Sequence, residues 1–164
     1  MGILETDRLR LREMTDDDLD QMAALLGDPE VMRHYPAPKT RDEAQRWIDW
    51  NRRNYAEHGF GLWIIETAEG EFIGDCGLTW QTVDGTREIE VGYHVRVDVQ
   101  GNGYATEAAT ACVQFARQRG ISRLVAIIDP ANAASQRVAV KVGLRLEKRV
   151  MKNGLELVIF AATI

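Results

Sequence analysis

Charged and apolar side chains alternate over residues 8–13 (RLRLRE), a period of two that predicts a half-buried strand. The period then lengthens. Thr15 with Asp18 three residues later makes a capping box for a helix to about Leu26, and Thr40 with Glu43 makes a second. That second helix carries Ala44, Trp47, Ile48 and Tyr55 on roughly one side and stops at Gly59. Alternation returns in GLWIIET (61–67) and EFIGDCGLTW (71–80), joined by AEG, and the Asp84-Gly85 turn feeds a third strand over 88–99. In this last strand Ile89, Val91, Tyr93, Val95, Val97 and Val99 should face the core, and Glu88, Glu90, Gly92, His94, Arg96 and Asp98 the other side.

Helical spacing resumes with Ala105, Ala108, Ala109, Cys112, Phe115 and Ala116, closed by Gly120, and the small residues let this helix lie close to a sheet. Residues 124–128 read as a short buried strand, and Asn132 caps a helix reaching Val142 and ended by Gly143. The Asn153-Gly154 turn divides two terminal strands. The order β-αα-βββ-α-β-α-ββ predicts an α/β (α+β) domain, a mixed sheet with helices on it.

Length and composition narrow the function. A chain of 164 residues is one domain's worth, and 45% hydrophobic with 27% charged residues excludes a disordered or collagen-like chain. The apolar runs are too short to cross a bilayer and the N-terminus lacks a signal-peptide segment, so a cytoplasmic protein with no membrane partner is expected. Cys76 and Cys112 have no CxxC spacing, the three histidines are scattered, and Asp16-Asp17-Asp18 looks like a charged helix start, so no metal site is expected. A formal charge of −5 argues against direct nucleic-acid binding and leaves room for a cationic substrate.

The chemistry concentrates at residues 99–108, VQGNGYATEA, where a strand gives way to a helix through two glycines. A glycine turn at a helix start gathers backbone N–H groups and the positive end of the helix dipole, an anion site. A tight turn that binds nothing accounts for the same residues. GxxxxGK[ST] is absent, which removes the P-loop, and a dinucleotide fingerprint would require Gly or Ala where Thr106 stands.

Gln100-Gly101-Asn102-Gly103-Tyr104-Ala105 resembles the Q/R-x-x-G-x-G/A motif of the GNAT superfamily of N-acetyltransferases. Glu90-Val91-Gly92-Tyr93 precedes it, and Asn132-Ala133-Ala134-Ser135 and Lys141-Val142-Gly143-Leu144 follow, similar to the N-x-x-S and K-x-G-F segments of the RimJ/RimL-type branch. The opening LETDRLRLRE is similar to that branch as well, so the resemblance covers nearly the whole chain. It implies one GNAT domain over 1–164, with a mostly antiparallel central sheet flanked by about four helices and acetyl-coenzyme A as acetyl donor. On that footing the N–H groups from Gly101 through Thr106, with Gln100, Asn102, Gly103, Tyr104 and Ala105 among them, would hold the pyrophosphate. The backbone around Val95 and Val97 would pair with the pantetheine arm like an added strand. Asn132 divides between helix cap and cofactor contact.

Direct transfer requires a deprotonated amine, a thioester carbonyl within reach, and a way for the thiolate to leave. Glu90 is the candidate base or water relay, with Glu88 second, though a solvated strand carboxylate is the plainer reading of either. A backbone N–H near Tyr93 or Val95 could polarise the carbonyl. Many GNAT members carry a tyrosine acid seven residues after the asparagine, where this chain has Ala139. Ser135 resembles the RimJ/RimL-type substitute, and could equally bond the backbone of its own helical turn. Glu107 suits the helix dipole better than catalysis. His94 shares the Glu90 face about 13 Å along the strand and is given no catalytic role. The aromatic residues Trp47, Trp50, Tyr55, Phe60, Trp63 and Trp80 fit a core better than a pocket.

The expected activity is acetyl transfer to a primary amine. A protein N-terminus is mildly favoured because α-amines deprotonate near ~8 and lysine-like amines near ~10.4. Small-molecule amines such as polyamines, amino acids or aminoglycosides, and an acyl-coenzyme-A-binding module without catalysis, are the alternatives. A monomer or homodimer is expected.

Overall fold

The computed structural model describes residues 3–164. Its elements run β1 (Leu4–Glu5), β2 (Leu9–Arg12), α1 (Leu19–Gly27), α2 (Arg41–His58), β3 (Leu62–Thr67), β4 (Phe72–Val83), β5 (Thr86–Val95), α3 (Tyr104–Gln118), β6 (Arg123–Ile128), α4 (Ala133–Lys141), β7 (Arg145–Lys152) and β8 (Leu155–Thr163). Among the described residues they form an eight-stranded sheet in the order β1-β2-β3-β4-β5-β6-β8-β7. Every neighbouring pair is antiparallel except β5 with β6, which is parallel. The mixed, mostly antiparallel sheet with four α-helices is the fold expected from the sequence; the short β1, paired with β2, is an addition to it.

Local chemistry fixes the boundaries. Both capping boxes form, Thr15 with Asp18 ahead of α1 and Thr40 with Glu43 on α2, and Gly59 closes α2 at φ 80°. Asp84 and Gly85 (φ 49° and 77°), like Asn153 and Gly154 (52° and 78°), occupy the left-handed region that two-residue hairpins require.

The centre of the sheet, β3 and most of β4, is buried on both faces. Against one lies α3, whose Cys112, Phe115 and Ala116 pack with Trp63, Cys76, Leu78 and Val91. Trp63 meets Phe115 edge-on with ring centroids 5.0 Å apart. Against the other lie α1 and α2, which close Met22, Leu25, Leu26 and Ile48 over Leu62 and Ile64.

The strand expected over 88–99 ends early. Ile89, Val91 and Val95 join the core as the alternation predicts, but β5 stops at Val95 and residues 97–99 form a 3-10 turn with Val97 41% exposed. Arg96 is the reason: its N–H reaches Ile73 O, its guanidinium donates to Phe72 O, and it pairs with Asp98 two residues on. Only the Asp98 pair is local; the bonds to Ile73 and Phe72 anchor Arg96 to β4.

Candidate active site

Past that turn the chain is held open by its own side chains. Gln100 Nε2 donates to Val95 O at 3.0 Å, and Asn102 Nδ2 donates to Val99 O at 2.8 Å. Gly101 and Gly103 have φ of 83° and 80°, a region closed to most side chains, and α3 begins directly after them. The first backbone bond of α3 is Glu107 N–H to Gly103 O, and no hydrogen bond among the described residues uses the N–H groups of residues 101–106. Six consecutive free donors at the positive end of a 15-residue helix suit an anionic ligand. Glu107, in the first turn, is bound by Thr6 Oγ1 and by Arg8 through both its N–H and its guanidinium, which depresses its carboxyl below the ordinary range despite partial burial. It therefore ties the loop before β2 to the start of α3.

Beside this loop the sheet comes apart. β5 and β6 share a single registration, Glu90 with Val125. Two residues further along β6, the Ile127 N–H is taken by Glu90 Oε2 at 2.8 Å. Arg96 N–H points to β4, so by strand alternation the N–H groups of Val95 and Tyr93 point the other way, into the gap. A cavity of about 400 Å³ opens here. Val95, Gln100, Gly101, Gly103, Tyr104, Ala105, Thr106, Asn132 and Ser135 all line it, together with Tyr93, His94 and, from the loop between α1 and α2, His34 and Tyr35.

Three expected residues stand elsewhere. Asn102 braces the loop, and Val97 lines a separate cavity with Arg96, Asp98 and residues of α1. Glu90 is not among the residues that line the cavity. Burial pushes its carboxyl up to about 7, against the opposing pull of the Ile127 N–H, His94 and Lys152. Glu88, the second candidate, is occupied: it accepts from Arg123, which also binds Glu147.

Asn132 caps α4, accepting the Ser135 N–H at 3.1 Å. Ser135 Oγ donates to the Tyr93 hydroxyl at 3.1 Å, and that hydroxyl donates to Ser135 O at 2.8 Å. Ser135 Oγ thus does not bond the backbone of its own turn, and its partner Tyr93 brings a phenol into the cavity that the tyrosine-free α4 does not supply. Burial raises the Tyr93 hydroxyl well above the usual phenol range.

The largest departure from the sequence reading is His94. Its Nδ1 lies 2.7 Å from Oδ1 of Asp75, a fully buried carboxylate that also accepts Trp47 Nε1–H at 3.1 Å. The pair was legible in principle: Asp75 stands nine residues before Asp84 and His94 nine after Gly85, so a two-residue turn sets them opposite each other. Trp47, assigned to the core, is only half-buried and reaches the site through that bond.

The family model for an acetyltransferase (GNAT) domain matches residues 8–145. The chain is 41% identical over 152 residues to the uncharacterized protein YkkB of Bacillus subtilis, covering 91% of this chain and 88% of that one. It is 32% identical over 149 residues to the uncharacterized N-acetyltransferase YoaA of the same organism, covering 88% and 84%. Among solved structures it is similar to RimL, a ribosomal L7/L12 α-N-protein acetyltransferase in complex with coenzyme A, at TM-score 0.81 and 21% identity over 100% of this chain and 98% of that one.

Proposed function

The chain belongs to the GNAT acetyltransferase family and is an acetyl-CoA-dependent N-acetyltransferase, and we propose that its acceptor is a primary α-amine that attacks the thioester directly. The pyrophosphate of the donor lies against the free N–H groups of residues 101–106, with Gln100 and Asn102 bracing the loop. The pantetheine arm runs along the unpaired edge of β5 at Tyr93 and Val95 and takes the place of the strand partner that β6 ceases to be. Tyr93 N–H or Val95 N–H then faces the thioester carbonyl and stabilises the oxyanion.

The observation that carries the choice of acceptor is the Glu90 carboxyl at about 7. An α-amine near ~8 gives its proton to such a group at a cost of about 1.4 kcal/mol, whereas a lysine-like amine near ~10.4 costs about 5 kcal/mol. Because Glu90 does not line the cavity, it acts through water. The departing sulfur meets the hydroxyl pair of Tyr93 and Ser135, which line the same cavity.

The test is thiol release from acetyl-coenzyme A at pH 7.5 against a peptide with a free N-terminus, L-amino acids, spermidine and an aminoglycoside. Turnover of the peptide N-terminus at least about 10-fold faster than of the polyamine is expected. Turnover confined to spermidine or the aminoglycoside overturns the reading, and the panel separates a polypeptide N-terminus from a free amino acid.

A further inference from the structure

Two titratable groups stand on one face of β5 with a glycine between them. Glu90, Gly92 and His94 alternate with the core residues Ile89, Val91 and Val95, and a Cβ on Gly92 would meet nothing nearer than Leu62 Cδ2 at 3.7 Å. The strip between the two groups is therefore free of side chains from β5. His94 is buried and held at one nitrogen only: Nδ1 is bonded to Asp75, while Nε2 has no hydrogen-bond partner among the described residues. A buried ring nitrogen without a partner is costly, so its persistence calls for an occupant. Unlike Glu90, His94 lines the cavity that carries the free donors of the glycine loop.

We propose that His94, oriented by Asp75, is a second catalytic base that touches the acceptor nitrogen through Nε2. The inference rests on the acetyltransferase reading and supplies a destination that Glu90 alone does not. An ammonium acceptor must lose two protons to become an amide. Water carries the first from the ammonium to Glu90. The freed lone pair forms the C–N bond at the thioester carbonyl, and collapse breaks the C–S bond with its electron pair leaving on sulfur. The second proton passes from nitrogen directly to His94 Nε2, which becomes imidazolium beside Asp75, and the thiolate departs as such or takes a proton back across Tyr93.

The surroundings suit a base that charges during turnover. Burial opposes the imidazolium, but Asp75 on β4 and Glu90 on β5 favour it, and Lys39 before α2 opposes it; the net effect sets the ring above the ordinary histidine value. Tyr35, its ring 5.3 Å from that of His94, and Trp47 at 5.8 Å close the remaining sides.

Glycinamide, the smallest α-amine without a carboxylate, is the probe, with saturating acetyl-coenzyme A and the full chain between pH 5.5 and 9.5. Wild type should show a slope approaching two on the acid limb of log kcat/KM. His94→Gln should lower kcat about 100-fold, reduce that slope to one and leave the KM for acetyl-coenzyme A within about twofold. Imidazole added to His94→Ala should restore at least about 10-fold of the activity and do nothing for Glu90→Ala. An unchanged acid limb in His94→Gln overturns the proposal, as does equal loss of kcat and coenzyme A binding without imidazole rescue. Imidazole nitrogen signals of the labelled, coenzyme-A-loaded protein provide a readout independent of turnover. Glycinamide should shift the His94 Nε2 resonance, and a resonance it does not move refutes the contact. Absence of any thiol release with a shifted Nε2 would instead refute the acceptor reading alone.

Discussion

Replacing Glu90 by Gln should make the protein more stable while disabling it, and only above a defined pH. The carboxyl titrates at about 7 in place of 4.5, chiefly because burial opposes its charge. That difference corresponds to about 3 kcal/mol of preference for the neutral form. An acid whose pKa is raised by folding contributes its full share below about 4.5, where both states are protonated. The folded state loses that share as pH climbs to about 7, and above 7 the loss is constant. A glutamine carries no charge to bury, and its amide oxygen can still accept the Ile127 N–H. The variant should therefore melt with wild type at pH 4.5 and up to roughly 6–12 °C above it at pH 8.5, taking about 2–4 °C per kcal/mol for a domain of this size. Thermal unfolding followed by circular dichroism at the two pH values, beside thiol release at pH 8.5, is sufficient. A melting difference that is the same at both pH values would refute the reasoning, since a packing or hydrogen-bond effect does not follow the titration of Glu90.

Gly103→Ala forces an alanine to φ 80° and should cost about 1–2 kcal/mol while weakening coenzyme A binding at least about 10-fold by calorimetry; Gly120→Ala, at φ 75° but at the far end of α3, should cost similar stability and leave binding unchanged. Tyr93→Phe removes both bonds to Ser135 and should lower stability by about 1–2 kcal/mol in denaturant titration, with a fall in kcat larger than that of Ser135→Ala. Asn132→Ala strips the cap from α4 and should lower the melting temperature by roughly 2–4 °C, about 1 kcal/mol.

Legibility in the sequence followed the range of the interactions involved. Capping boxes, left-handed glycines and two-residue turns are settled within about four residues, and at Thr15, Thr40, Gly59, Asp84 and Asn153 the chain behaves as its local chemistry dictates. Alternation failed at Val97 because Arg96 finds partners on β4, an influence that no window on β5 contains. The loop from Gln100 to Thr106 was visible because glycine at a helix start is a local signal; the bracing by its own amides was not. The face of Glu90 follows from the alternation, but its bond to Ile127 and its raised titration depend on β6, which arrives 37 residues later. Asp75 and His94 fell between these cases, since the Asp84-Gly85 turn fixes their register once residues are counted back from it. Tyr93 meets Ser135 across 42 residues, and nothing nearby in sequence announces it.

A sheet ordinarily has two raw margins, here β1 and β7. Where β5 and β6 separate after a single registered pair, this one acquires two more in its interior. Exposed strand margins invite pairing with any extended chain, and proteins commonly shield them. Here the glycine loop and α4 line the opening, a cavity of about 400 Å³ that suits a slender, amide-bearing chain better than a globular neighbour. The fold thus turns a feature usually associated with aggregation into a keyhole, and saturation with coenzyme A should protect the protein against self-association as well as against heat.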